Sequence, residues 1–285
     1  MLVALGDLVE DVVVWTRENL RHGTDTACVI ERRRGGSAAN VTVFARGLGQ
    51  PSRFVGCVGA DRAGDALLAD LAAQGVEASV VRHGRTGTIV VVVGPDGERS
   101  FLTDRGAAVL LDMLPFGALD RASHLHVSAY SLSCEPVASV VSAVCRAARQ
   151  LAVTVSVDAA SSALIDEIGP GAMRRWLVEH RPDVLFANED EGALLDLIDH
   201  PIDGVGLTIV KRGPRPVLLV HGYGSRIEVD VPVVEDVRDT TGAGDAFAAG
   251  FLVARMRGLD DRRAATAGVA LAAEVLGQPG ASTAR

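Results

Sequence analysis

Aromatic side chains are scarce: Phe, Trp and Tyr make up 4% of the 285 residues, with only two Trp and two Tyr. Ala, Val and Leu must therefore fill the core, a profile that suits parallel strands covered by helices. The four cysteines, Cys28, Cys57, Cys134 and Cys145, are dispersed and form no C-x-x-C. They are read as reduced thiols in a cytoplasmic protein. No apolar stretch reaches membrane-spanning length, and no basic segment with an apolar run precedes the strand-like Leu2–Asp7. A signal peptide or membrane anchor is therefore not expected. An excess of positive charge is missing too: the formal net charge is -8. Nothing draws the chain to nucleic acid or an anionic membrane at long range, so an anionic cosubstrate must be held by local donors. Internal repeats, low-complexity segments and Pro/Ser-rich linkers are absent. So is the G-x-x-x-x-G-K-[ST] loop, which excludes P-loop mechanics. The first strand is followed by Gly6-Asp-Leu-Val-Glu-Asp11 rather than G-x-G-x-x-G, which argues against a dinucleotide-dependent dehydrogenase.

What is present is hydrophobic. Apolar residues reach 48% and glycines number 31, enough for a large core in one α/β unit spanning residues 1–285. Strand-like and helix-like runs alternate. Leu2–Leu5, Arg53–Val58, His124–Val127, Val153–Asp158, Asp183–Ala187 and Leu207–Lys211 read as strands, separated by helical runs such as Ser37–Leu48 and Ala63–Gln74. Two closing helices are expected over Gly244–Met256 and Asp260–Leu276, and a hairpin over Val217–Val220 and Arg226–Val229. The alternation predicts a doubly wound, mostly parallel sheet flanked by helices. Another hairpin, Thr88–Val93 and Arg99–Thr103 around Gly94–Gly97, does not fit that sheet. With the β-rich stretch from Asp11 it is expected to form a small β-sheet lid, from insertions at residues 11–33 and 78–107.

Five segments carry candidate chemistry. The first is Asp239-Thr-Thr-Gly-Ala-Gly-Asp-Ala-Phe-Ala-Ala-Gly-Phe251. Gly242, Ala243 and Gly244 open an apolar helix. First-turn amides lack internal partners, and the helix dipole is positive there, so a phosphate can approach the glycine backbone closely. Asp245, in the first turn, stands where a carboxylate can take a proton from an attacking hydroxyl. Taken alone, the glycines also fit a tight loop and Asp245 a favourable first-turn acid. The second segment is Gly35-Gly36-Ser-Ala-Ala-Asn40, paired glycines running into a helix. The third is Gly6–Asp11, at the C-terminal end of the first strand, where open α/β sheets bind ligands. The fourth is Asn188-Glu-Asp-Glu191, in which Asn188 is also a good N-cap. The fifth is Lys211-Arg-Gly213, whose lysine suits a phosphate or simply ends a strand.

Together these segments resemble the ribokinase-like, PfkB-type carbohydrate kinases, over essentially the whole chain. The resemblance implies an ATP-dependent kinase that phosphorylates a hydroxyl of a small sugar. Gly242, Ala243 and Gly244 become the anion hole and Asp245 the base. Asp11, Gly35, Gly36 and Asn40 become sugar contacts, and Asn188 and Glu191 position Mg²⁺ through water. Lys211, Gly213 and Thr241 fall on the nucleotide side, with Pro216 where a second glycine is usual. Asp239 and Thr241, with carbonyls near Gly280, resemble a monovalent-cation (K⁺) site. Arg105, just after the lid hairpin, matches an arginine that some sugar-acid kinases place on substrate; a surface salt bridge explains it equally. Ribokinase itself carries Asn at Val9, Lys at Ser37 and Gly at Ala38, so ribose is disfavoured. Another pentose, a fructose phosphate, a sugar acid and a nucleoside stay open. The resemblance also implies a homodimer through the lid. A non-catalytic sugar binder would lack the base.

His124 and His126 alternate on one face of a predicted strand with no third ligand, and read as structural. Arg32–Arg34 reads as a solvated face.

Overall fold

The computed structural model describes residues 1–96, 98–235, 237, 239–277 and 281, so Gly97 and Gly280 lie outside the described residues. In chain order, β1 (Leu2–Leu5), β2 (Val9–Thr16) and β3 (Cys28–Gly35) precede α1 (Ser37–Gly47). Then follow β4 (Ser52–Val58), α2 (Arg62–Ala73), β5 (Glu77–Arg82), β6 (Thr86–Val93), β7 (Arg99–Gly106) and β8 (His124–Ser128). The middle of the chain runs α3 (Val137–Gln150), β9 (Thr154–Asp158), α4 (Ser162–Ile168), α5 (Pro170–His180), β10 (Val184–Asn188) and α6 (Glu189–Leu194). The last elements are β11 (Leu207–Arg212), β12 (Arg215–His221), β13 (Arg226–Val229), α7 (Ala243–Met256) and α8 (Asp261–Leu276).

Nine strands form one sheet in the order β13-β12-β11-β10-β9-β8-β1-β4-β5. All pairings from β5 to β11 are parallel; β12 and β13 add an antiparallel edge. Helices cover both faces, which is why β1, β4 and β8 are buried at every residue. One core layer joins α1, α2, α7 and α8 to the sheet through Phe44, Leu71, Phe186, Phe247 and Phe251. The other joins α3, α4 and α5 through Val141, Ile165, Met173 and Leu177. The expected filling by small aliphatics holds, with a cluster of edge-on rings at Phe186, Phe247 and Phe251 as its aromatic exception.

The chain begins at β1, runs outward through β4 and β5, and returns to β8 on the other side of β1. That reversal is the kind of switch point at which open α/β sheets bind ligands, beyond the C-terminal strand ends. At those ends stand Asp7 after β1, Asp158 in β9, Asn188 in β10 and Lys211 in β11.

The second sheet has four strands in the order β3-β2-β6-β7. Its β6–β7 hairpin is antiparallel, and β2 pairs parallel with β6. One boundary needs correction. The segment expected to begin the lid at residue 78 is β5, which pairs with β4 at the edge of the large sheet. Its modest hydrophobicity hid it: as an edge strand it has no fully buried residue. The small sheet therefore starts its second half at Thr86.

Candidate active site

The site is built around Asp245. Gly242 ends the preceding loop with φ of +78, a left-handed conformation that glycine adopts at little cost, and α7 begins at the next residue. No side chain caps α7. The carboxylate that could have done so, Asp245, is turned away: it accepts from Ser37 Oγ at 2.7 Å and from Asn40 Nδ2 at 2.9 Å. Both donors come from α1, so the packing of α1 on α7 joins the paired-glycine segment to the Asp245 segment. Burial pushes the Asp245 carboxyl up to about 6; the two hydrogen bonds and Lys211 oppose the rise, and Asp158 adds to it. At neutral pH it is ionised yet basic, as a proton acceptor should be.

Asp11, in β2, lies close enough to Asp245 for the two charges to interact. Its carboxylate lies directly over Gly35, where any Cβ would collide with it. Gly36, at φ of +102, packs against the backbone of Asp7 and Leu8, again with no space for a side chain. The glycines thus let the β3–α1 corner approach β1 and β2. Asp11 is pushed up to about 6 by burial, partly opposed by Arg34 and reinforced by Asp245. Its Oδ1 is buried without a hydrogen-bond partner among the described residues. A carboxylate oxygen in that condition is ready for a donor such as a sugar hydroxyl. Arg34 bonds Asn40 Oδ1 at 2.5 Å and Asp70 at 2.8 Å, which fixes the Asn40 amide with its NH₂ toward Asp245.

On the other side of the anion loop, Lys211 lies by Gly244: a Cβ placed there would be 3.2 Å from its Nζ. Lys211 bonds Asp158 at 3.0 Å. Burial pulls the lysine down, but Asp158 and Glu191 outweigh it and hold it above its usual value. Asp158 is held below the usual carboxylate range, because Lys211, His126 and the Ala160 amide together outweigh its burial. A positive ammonium beside helix amides that no side chain caps is an arrangement that can attract an anion from two independent sources.

Asn188 and Glu191 form a reciprocal capping box at the start of α6. The Glu191 amide donates to Asn188 Oδ1 at 2.9 Å, and Glu191 accepts from the Asn188 backbone N–H at 2.8 Å and from its Nδ2 at 2.6 Å. Burial and the neighbouring Asp158 push Glu191 up to about 7. Both its oxygens already accept a bond, so each keeps one lone pair, enough for an ion held through its own waters. Among the described residues no three His, Cys, Asp or Glu side chains converge on a metal position. That donor set fits Mg²⁺, which retains waters and leans on phosphate oxygens.

Arg105 makes the salt bridge that was its alternative reading, with the buried Asp7, and lies 4.0 Å over the Tyr130 ring. Between Asp239 and Thr241, where a monovalent cation was expected, stands the guanidinium of Arg99, 2.8 Å from each. Gly213 serves the turn between β11 and β12 with φ of +61, and the space where a Cβ would stand is open. Ser37, Arg34, Asp158 and Arg99 were missed as site residues. Asp158 had a signal, since it ends a predicted parallel strand just as Asp11 follows one. Arg99 had none, because its partner lies 140 residues away in sequence.

The small sheet presses on this site. Asp11, Arg33, Arg34, Arg99, Asp239 and Thr241 border a cavity of about 20 Å³, space for roughly one water. The inner face of the small sheet is aliphatic, with Val13, Val91 and Val93 buried together.

Known proteins resemble this chain over most or all of its length. The model of the pfkB family carbohydrate kinases matches residues 1–285. An ATP-dependent ribose-1-phosphate kinase of Halopiger xanaduensis is 31% identical over 261 residues, covering 88% of this chain and 82% of that protein. A fructokinase of Klebsiella pneumoniae is 32% identical over 253 residues, covering 82% and 80%. Among solved structures, a probable sugar kinase of Rhizobium etli superposes with a TM-score of 0.87 at 24% identity, over 99% of this chain and 94% of that one.

Proposed function

The chain belongs to the pfkB family of carbohydrate kinases, and from that premise we propose that Asp245 deprotonates a hydroxyl of a small sugar as the γ-phosphoryl group of ATP is transferred to it. The carrying observation is the placement of Asp245: buried, held by Ser37 and Asn40, and one residue beyond the glycine that faces Lys211. A base, a phosphate cradle and a cation meet at one helix start.

The small sheet lifts to admit the sugar, whose hydroxyls bond the unpartnered oxygen of Asp11 and the side chain of Asn40. ATP lies along the C-terminal strand ends, its phosphates directed at the amides of Gly242–Gly244 and at Lys211. The sheet closes and excludes water, which suppresses loss of ATP to hydrolysis. The hydroxyl oxygen attacks the γ-phosphorus in line as the bond from that phosphorus to the β–γ bridging oxygen breaks and ADP leaves; the hydroxyl proton passes to Asp245 Oδ, and the amides and Lys211 stabilise the charge on the transferring group. Asn188 and Glu191 would hold Mg²⁺ through water, and the ion would supply neutralisation of phosphate charge.

The relatives are named for different acceptors, ribose 1-phosphate and fructose. A nucleoside base would need an aromatic face, and Trp15, the aromatic on the cavity wall, is packed against the valine cluster. A sugar is therefore the favoured acceptor. The edge strands of the small sheet carry exposed Val29, Ile30, Phe101 and Leu102, which a second copy of the chain would cover; sedimentation velocity that finds only monomer refutes that pairing. Function is tested by ADP release over a panel holding fructose, ribose, ribose 1-phosphate, sugar acids and adenosine. One sugar should dominate. Strong turnover of adenosine alone, or ATP hydrolysis indifferent to every acceptor, would overturn the sugar-kinase reading.

A further inference from the structure

We propose that Arg99 is a built-in cation, bracing the loop before the anion hole in the place where a monovalent ion would bind, so that turnover needs no K⁺. The proposal rests on the kinase reading above. Arg99 opens β7, in the small sheet, and reaches across to the large domain. Its Nη1 lies 2.8 Å from Asp239 Oδ1 and 2.8 Å from Thr241 Oγ1. The same Asp239 oxygen accepts the Thr241 backbone N–H at 2.7 Å. Arg33, from β3, adds a second guanidinium 3.9 Å from the other Asp239 oxygen. Asp239 is 5% exposed, so its charge must be compensated locally.

A K⁺ ion at this position would have to take lone pairs that already serve Arg99. It would also sit beside two guanidinium groups, and repulsion between like charges is strong in a buried setting. A planar guanidinium is weakly hydrated and can bind two oxygens at once, which suits it to a permanent role here. Thr241 immediately precedes Gly242, so the contact fixes the residue from which the left-handed turn into α7 starts.

The brace is conditional. Because Arg99 rides on the small sheet, it meets Asp239 and Thr241 only when that sheet is down. Covering the sugar and organising the phosphate cradle thus become one event. A diffusible ion could not supply that coupling. Arg99 is a positioning residue and makes no contact with reacting atoms.

The test compares K⁺ with tetramethylammonium at matched ionic strength. Wild-type turnover and melting temperature should be the same in both salts. Arg99→Ala should lose kcat roughly tenfold or more in tetramethylammonium, the loss expected for a hydrogen-bonded charge. Added K⁺ or guanidinium should restore part of it and raise the variant's melting temperature, and Arg99→Lys should lie between. A K⁺-specific rise in wild-type turnover or melting temperature would overturn the proposal. So would an Arg99→Ala enzyme with full activity in tetramethylammonium. Should no sugar turn over at all, the kinase reading fails, while the melting-temperature comparison still reads the cation site.

Discussion

Replacing Asp245 by Asn should make the protein inactive and, at neutral pH, more stable. Burial holds the wild-type carboxyl at about 6 against an ordinary value of 3.8. The native state therefore binds the proton more tightly than the unfolded chain, and stability falls as pH rises from the unfolded value through the folded one. The full penalty, about 3 kcal/mol, applies above pH 6; at pH 4.5 only about 1 kcal/mol applies. An asparagine escapes it. Its Oδ1 keeps the Asn40 donation, and its NH₂ can donate to Ser37 Oγ once that hydroxyl rotates. The charge assistance of the two hydrogen bonds is already contained in the carboxyl's value of about 6, since both bonds lower it. The difference in ΔΔG between pH 7.5 and pH 4.5, about 2 kcal/mol, therefore isolates the titration. Urea unfolding at both pH values measures it, with kcat on the same preparations expected to fall by roughly 10²–10⁴. A variant equally stable relative to wild type at both pH values, or one retaining near-normal turnover, would refute the reasoning.

Other consequences can be checked together. In the wild type, kcat/KM should rise with pH through about 6 and then level, because Asp245 and Asp11 both sit near that value and both act ionised. Ser37→Ala removes a donor that holds Asp245 down, so the acid limb should move to higher pH; an unmoved limb would detach Asp245 from it. Lys211→Met should raise KM for ATP and cost roughly 3–5 kcal/mol of stability, since Asp158 is left buried without its partner; calorimetry with an ATP analogue and urea unfolding read the two effects. Gly242→Ala should cost about 1–3 kcal/mol and depress kcat, because its Cβ would stand 2.5 Å from that of Ala281 at a φ of +78.

The sheet was readable in the sequence because its strands are buried on both faces and appear as unbroken apolar runs. The edge strand Glu77–Arg82 was not, since half of it faces water. Asp245, Asn40 and Asp11 could be assigned from local patterns: a glycine-rich helix start, a glycine pair before a helix, and an acid beyond a strand. Ser37 was visible only as a departure from a related sequence, and its bond to Asp245 depends on how α1 packs against α7. Arg99 escaped, and Arg105 was named without its partner, for a similar reason. Each acts on a partner about 100 residues or more away, and hairpin sequence says nothing about what the hairpin will rest upon.

The most direct measurement is a crystal structure with a non-hydrolysable ATP analogue and the sugar that gives the highest turnover. The terminal phosphate should lie on the amides at the start of α7 with Lys211 beside it, and one sugar hydroxyl should bond Asp245. A terminal phosphate bound away from Gly242–Gly244, or a sugar whose hydroxyls do not reach Asp245, would contradict it.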